Sequence, residues 1–256
     1  MIVLISPAKT MLAQTQSNHP PKELTQPRFK ENTTHIISKM VQYSTHTLEE
    51  IFKVSSPIAK ELKIRFINHL DNKNTSLAAV ESYNGVVYKH FKGSINSPQS
   101  QEYLQNHLRI SSLLYGLLRP YDAIQPYRME GFVRLEGSDQ RVDTYWRDNQ
   151  TQTLIDDVNH QGGTLLYLAS KEEQNALHWK RVKESVRVID FKFLSYKGDK
   201  LHQIVVYTKM ARGEMISYMI QNAITDLEEL KQFEWSGYKY SDNLSSKDVW
   251  VWLCGL

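Results

Sequence analysis

The sequence predicts a mixed α/β (α+β) fold, a single compact domain over residues 1–256 with a mixed central sheet flanked by helices. Three observations carry that reading. Short β-branched or aromatic runs, IVLIS (2–6), TLLYLAS (164–170) and VWVWLC (249–254), have the length and composition of buried strands. Between them, apolar residues recur at helical spacing. No internal repeat, heptad array or low-complexity tract divides the chain.

Taken in order, IVLIS is closed by Ser6-Pro7, and residues 13–31, polar and carrying Pro20, Pro21 and Pro27, read as an extended arm. From Glu31 to about Ser55, Ile36, Ile37, Met40, Tyr43, Leu48, Ile51 and Phe52 follow a helical period. Ser55-Ser56-Pro57 starts a second helix, with proline in the tolerated first turn and a stripe of Ile58, Leu62, Phe66 and Leu70. Leu108 to Leu118 reads as helix, because Ile110, Leu113, Leu114, Leu117 and Leu118 fit the i, i+3, i+4, i+7, i+8 pattern. Another helix covers Thr144 to Asn159. Gly162-Gly163 leads into TLLYLAS, and a helix follows from about Glu172. VRVIDFKFLSY and LHQIVVYTK read as strands around a Lys197-Gly198-Asp199 hairpin. Met215, Ile216, Met219, Ile220 and Ala223 mark one more helix before the final strand.

The 41% hydrophobic and 23% charged composition is that of a water-soluble globular protein, and the net charge of +3 calls for a local patch if a polyanion is bound. No apolar run reaches the roughly 18 residues of a membrane span, and the N-terminus lacks a signal peptide's basic flank. The single cysteine, Cys254, excludes an intrachain disulfide and fits a reducing, cytoplasmic setting. Its apolar surroundings argue against a peroxide-reactive thiol. The nine histidines show no H-x-x-x-H spacing, so neither a metal site nor a cofactor is expected. Phosphate-loop, dinucleotide and nucleophile-elbow glycine patterns are also lacking.

Three strands read as running directly into helix starts: LISPAKT, LYLASKEE and VVYTKMARGE. Helix starts beyond strand carboxyl ends favour anions. The junctions contribute Ser6 and Lys9, Ser170 and Lys171, and Lys209 and Arg212. Ser170-Lys-Glu-Glu173 equally matches a capping box, and Lys9 equally suits plain solvation. The stretch SLLYGLLRPYDAIQPYR (112–128) holds a Gly116 that permits close backbone approach. Between 109 and 134 stand Arg109, Arg119, Arg128 and Arg134 with only Asp122 and Glu130, a set suited to forked recognition of phosphate or carboxylate. An arginine paired with Glu130 is the structural alternative.

With these residues assembled, the chain resembles the YaaA family of bacterial peroxide-stress proteins. The resemblance runs nearly end to end: ISPAKT (5–10), YNGVVY (83–88), HLRISSLLYGLLRPYDAIQPYR (107–128), LASKEE (168–173) and KMARGEM (209–215). It implies a family-specific fold with a basic cleft and a helix-hairpin-helix-like element within LRISSLLYGLLRPYDAIQPYR. It also implies sequence-independent binding of double-stranded DNA, protection from oxidative damage and lower free intracellular iron. On matching positions, Ser6, Lys9, Arg109, Arg119, Arg128, Lys209 and Arg212 would form the DNA- or anion-binding surface, and Tyr121 and Tyr127 would pack against sugars or bases. Where the family pattern has FKGDVY, this chain has YNGVVY; LASDEY becomes LASKEE, so that Glu172 is retained while Lys171 and Glu173 depart; PYRLEMG becomes PYRMEG. The alternative is an enzyme acting on a small anionic or nucleotide-like substrate, with Glu130, Tyr88 and Glu172 as candidate catalytic groups. Direct iron sequestration is the least favoured reading.

Overall fold

The structure, a computed structural model, describes residues 1–71, 73 and 75–255, with the backbone alone at Lys197. In chain order its strands are β1 (Ile2–Ile5), β2 (Leu77–Ala78), β3 (Leu108–Ser112), β4 (Gly116–Leu118), β5 (Ala123–Ile124), β6 (Thr164–Tyr167), β7 (Arg187–Lys197), β8 (Lys200–His202), β9 (Tyr238–Tyr240) and β10 (Val249–Cys254). Its α-helices are α1 (Lys30–Met40), α2 (Thr45–Phe52), α3 (Ser56–Leu70), α4 (Ala79–Ser82), α5 (Val86–Phe91), α6 (Pro98–His107), α7 (Val142–His160), α8 (Trp179–Ser185) and α9 (Val205–Gln221).

The main sheet runs β4-β3-β1-β6-β7-β10-β9, with β8 folded onto β7. Its centre is parallel: β1 pairs with β3 and β6, β6 with β7, and β7 with β10. All four residues of β1 are buried, as a strand covered on both faces must be. Ile2 and Leu4 face a cluster that includes Leu154, Ile155 and Val158 of α7 and Val182 of α8. Val3 and Ile5 face the larger cluster, with Tyr88 and Phe91 of α5 and Ala211, Met215 and Met219 of α9. Along β7, Ile189, Phe191, Phe193 and Ser195 are buried while the alternate residues are more exposed, the period of two expected of a strand. The result is a mostly parallel mixed sheet between two helical layers, the predicted α/β class.

Several expected elements differ in place or kind. The helix expected at Leu108–Leu118 is a β-hairpin, β3–β4, with Ile110 opposite Leu118 and Ser112 opposite Gly116. Its strands are buried on both faces and its turn is apolar, so five hydrophobic residues fell on a helical period by coincidence. Ser112 Oγ accepts from the Leu114 and Tyr115 N–H groups at 3.2 and 3.0 Å and holds the turn. The stretch 108–128 contains no helix, so the helix-hairpin-helix-like element does not lie there. Two helices joined by a tight turn occur at α2 and α3, where Lys53 takes the left-handed conformation at φ 49°.

The helix expected from Glu31 to Ser55 is two, α1 and α2, parted before Ser44, which caps α2 by accepting from Thr47 N–H at 3.0 Å. Of the α3 stripe, Leu62 and Phe66 are buried while Ile58 and Leu70 stay exposed. LHQIVVYTK is strand only at β8, and α9 begins at Val205. Val205 and Val206 are exposed there, so burial of Thr208, Ala211 and Met215 further along overrides their β preference. The helix expected from Glu172 is a 3-10 turn, Lys171–Ala176, followed by α8. No helix among the described residues is long and apolar enough to cross a membrane.

Gly116 does permit a close approach. Its φ is +71°, and a Cβ there would lie 2.5 Å from the Trp146 ring. Gly116→Ala would therefore combine backbone strain with overpacking and cost about 2–4 kcal/mol. Urea denaturation should show that loss as a lower midpoint with an unchanged slope.

Candidate functional site

The parallel centre of the sheet brings the ends of β1 and β6 together, since Leu4 is in register with Tyr167. Just beyond them, Ser6 Oγ accepts a hydrogen bond from Ser170 N–H at 2.9 Å. The chain after Ser6 does not enter a helix, as LISPAKT suggested; it turns over the start of α5, where a Cβ at Gly85 would lie 2.8 Å from that of Ala8. Tyr88 of α5 donates to Ser6 C=O at 2.9 Å. Behind it, α9 packs on α5 so closely that a side chain at Gly213 would strike the Val87 carbonyl and His90. That contact sets Arg212 over the strand ends. Lys209 and Arg212 thus come from the second turn of a helix, not from a strand–helix junction.

These elements enclose a cavity of about 410 Å³ at the carboxyl ends of the parallel strands, the place where open α/β sheets bind ligands. Of the expected residues, Ser6, Lys9, Tyr88, Arg128, Glu130, Glu172, Lys209 and Arg212 line it. A smaller cavity of about 270 Å³, lined in part by Lys171, Asp190 and Lys192, adjoins it and shares Ser170, Lys209 and Arg212.

The structure places Arg109 and Arg119 elsewhere. Arg109 is 7% exposed, with Nε 2.5 Å from Asp157 Oδ2 and Nη1 donating to the Leu108 and Gln105 carbonyls. Arg119 donates to Asp122 Oδ1 from Nε and Nη2, at 3.1 and 2.8 Å, and to Gln26 C=O. Both guanidiniums knit chain segments together. Tyr121 and Tyr127 are buried, so neither offers an exposed stacking face. Tyr127 hydroxyl instead bonds Ser112 Oγ and Tyr83 hydroxyl, each at 2.7 Å, and burial lifts its pKa to about 12. Cys254 ends β10 and does not line the cleft. Among the described residues no group of three His, Cys, Asp or Glu side chains is placed to hold a metal ion.

Within the cleft the charges are unevenly satisfied. Glu130 lies 2.9 Å from Lys9 Nζ and 3.6 Å from Arg128 Nη2, the pairing anticipated as a structural alternative. Glu172 and Lys209 make no ion pair among the described residues. Arg212 is the most demanding group: largely withdrawn from water, it has no carboxylate within ion-pair distance and no hydrogen bond among the described residues, and its Nε is shut off from solvent. Burial lowers its pKa, with Asp190, Tyr167 and Glu173 opposing from beyond contact distance. A cation so placed lacks the partner its desolvation calls for.

Glu173 is the residue sequence reasoning passed over. It is 6% exposed and accepts from Ser170 Oγ at 2.6 Å. Burial holds its carboxyl above the usual range, opposed by hydrogen bonds from Ser170, its own backbone N–H and Ser6. The spacing Ser170-x-x-Glu173 was visible, but Ser170 gives its hydroxyl to the carboxylate and caps no backbone N–H. Burial likewise raises Tyr88 and Tyr167, so both phenols stay protonated through the neutral range. Tyr167 hydroxyl donates to Ser170 C=O.

An acid whose folded pKa lies above its unfolded value stabilises below the unfolded pKa, and that stability is lost as pH rises through the folded one. Glu173→Gln should therefore gain stability over the parent chain as pH climbs from 4 to 8, with the two converging near pH 4. Urea midpoints measured across that range should show the gap opening upward; a constant gap would place the strain elsewhere.

The family model described as "Peroxide stress protein YaaA" matches residues 1–244. A UPF0246 protein of Bacteroides thetaiotaomicron is 40% identical over 257 aligned positions, covering 100% of this chain and 99% of its own. A UPF0246 protein of Parabacteroides distasonis is 39% identical, with 99% of each chain covered, and one of Francisella philomiragia is 33% identical, with 97% and 98% covered. With a match of that extent to the family model and to full-length relatives, the chain belongs to the YaaA family of peroxide stress proteins.

Proposed function

We propose that this protein acts in peroxide defence by binding a small phosphate-bearing ligand, of nucleotide size, in the cleft beyond β1 and β6. One observation carries the reading: Arg212 lines the cleft with its Nε shut off from solvent and without a hydrogen bond, and no carboxylate among the described residues lies at ion-pair distance. A bound phosphate would supply the missing charge and accept from its fork. Lys209, exposed beside it and unpaired among the described residues, adds a second cation. The volume of about 410 Å³ lies within the usual range of small-molecule sites. Carboxylates among the cations support the same choice, because a surface that only holds DNA phosphates gains nothing from acids there.

Any reaction in the cleft would draw on Glu173 as proton donor, since Glu130 is committed to Lys9 and Arg128. Tyr88 would orient the Ser6 loop, and Glu172 would face the ligand.

A second reading is sequence-independent binding of double-stranded DNA. It is favoured by the exposed α2–α3 pair, where Lys53 stands at the turn, Lys60 lies on α3, and no side chain caps the first N–H groups of α3. In either reading, lower free intracellular iron would accompany the protection.

Calorimetric titration with inorganic phosphate and with a nucleoside monophosphate tests the first reading. Arg212→Met should weaken both at least ten-fold while stabilising the ligand-free chain by about 1–2 kcal/mol. Absence of binding at millimolar ligand, with Arg212→Met cells surviving peroxide as the parent does, would remove it. For DNA, Lys53→Glu should lower affinity for a duplex and flatten its salt dependence by about one phosphate contact. Unchanged affinity and slope would remove α2–α3 from the contact surface.

A further inference from the structure

A second cavity, of about 430 Å³, shares α5 with the cleft but none of its lining residues. Its walls are the arm at Gln16–His19, Val80 and Glu81 of α4, Lys89 of α5, the following turn with Lys92, and Tyr121. Lys92 is largely withdrawn from water, yet its ammonium meets no carboxylate at ion-pair distance among the described residues. Its Nζ donates only to the Glu81 main-chain carbonyl, at 2.8 Å. Burial brings its pKa down to about 8, with Glu81 opposing and the Lys89 ammonium adding to the effect. Tyr121 lines the same cavity with its hydroxyl buried and unpartnered, held protonated by burial and by Glu81. Burial also raises the Glu81 carboxyl, against a hydrogen bond from Thr15 and the charge of Lys92.

A structural lysine drawn into a protein wall is ordinarily paired with an acid. Here the lysine lines a space of ligand size, with a second cation, Lys89, on the same wall. Desolvation and a neighbouring cation are the two devices that turn lysine into a nucleophile for carbonyl compounds. We infer that Lys92 is a covalent binding site for a short oxo acid, joined as an imine through Nζ, with Lys89 attracting the ligand carboxylate.

The step balances without an oxidant or reductant. The Lys92 ammonium first loses a proton to solvent water; the Nζ lone pair then forms the C–N bond as the carbonyl π pair moves to oxygen, and a proton passes from Nζ to that oxygen through water. The hydroxyl takes back the first proton and leaves as water while the nitrogen lone pair forms the C=N bond of a protonated imine.

Reductive trapping tests this on the unaltered chain. With acetoacetate and sodium cyanoborohydride at pH 7, Lys92 is neutral in roughly one molecule in ten, against about one in three thousand for a lysine at 10.5. Peptide mapping should therefore find, on Lys92, an adduct with the mass of acetoacetate less one oxygen, formed at least ten-fold faster than on exposed lysines. Lys92→Arg should abolish it. Lys89→Ala, which also removes a charge that lowers the Lys92 pKa, should slow trapping of both ketones and slow acetoacetate several-fold more than acetone. Adducts spread over exposed lysines, with Lys92 no faster, would overturn the site. Equal trapping of acetone and acetoacetate by the parent chain would overturn the oxo-acid assignment.

Discussion

Parallel pairing of β1 with both β3 and β6 governs the geometry of everything functional in this protein. Once a four-residue strand is hydrogen-bonded on both edges and covered on both faces, its C-terminal end cannot shift without breaking the register of three strands. Ser6 and Ser170 inherit that rigidity, and their mutual hydrogen bond ties the two loops that floor the cleft. The opposite wall is held as firmly, because α9 rests on α5 at Gly213, with no room for a Cβ. Arg212, one residue earlier, is thereby kept over the strand ends.

The electrostatics follow from that rigidity. An exposed lysine such as Lys9 meets Glu130 in water, where an ion pair contributes about 1 kcal/mol or less. Arg212, whose Nε is shut off from solvent, has no carboxylate at ion-pair distance among the described residues. Glu173 experiences burial with the opposite sign: desolvation raises its carboxyl pKa, against the hydrogen bonds from Ser170, its own N–H and Ser6. Two of the arginines expected to bind an anion, Arg109 and Arg119, are spent on holding the chain together.

Much of the fold was legible in the sequence, for reasons that particular segments make plain. IVLIS and VWVWLC could be read because strands buried on both faces need continuous apolar runs. The helix expected at Thr144–Asn159 lies within α7, close to its expected bounds. The reading failed at 108–118 and 201–209, where a buried hairpin imitated a helix and a helix began on β-branched residues. Both errors arise where packing against distant residues, Trp146 for Gly116 and α5 for α9, outweighs local preference.

Among the site residues, the chain alone named Ser6, Lys9, Arg128, Lys209 and Arg212 as types suited to an anion and Glu130 as a candidate acid or base, and these line one cavity. It could not separate them from Arg109 and Arg119, since an arginine that binds and one that braces carry the same fork. Nor could it single out Glu173 and Lys92, whose chemistry comes from how much water their neighbours exclude. Composition, strand and helix type and family membership are local or cumulative properties, and a linear chain records them. Which cation is left without a partner, and which acid or amine is pushed from its ordinary pKa, depends on residues tens of positions away, and only folding brings those together.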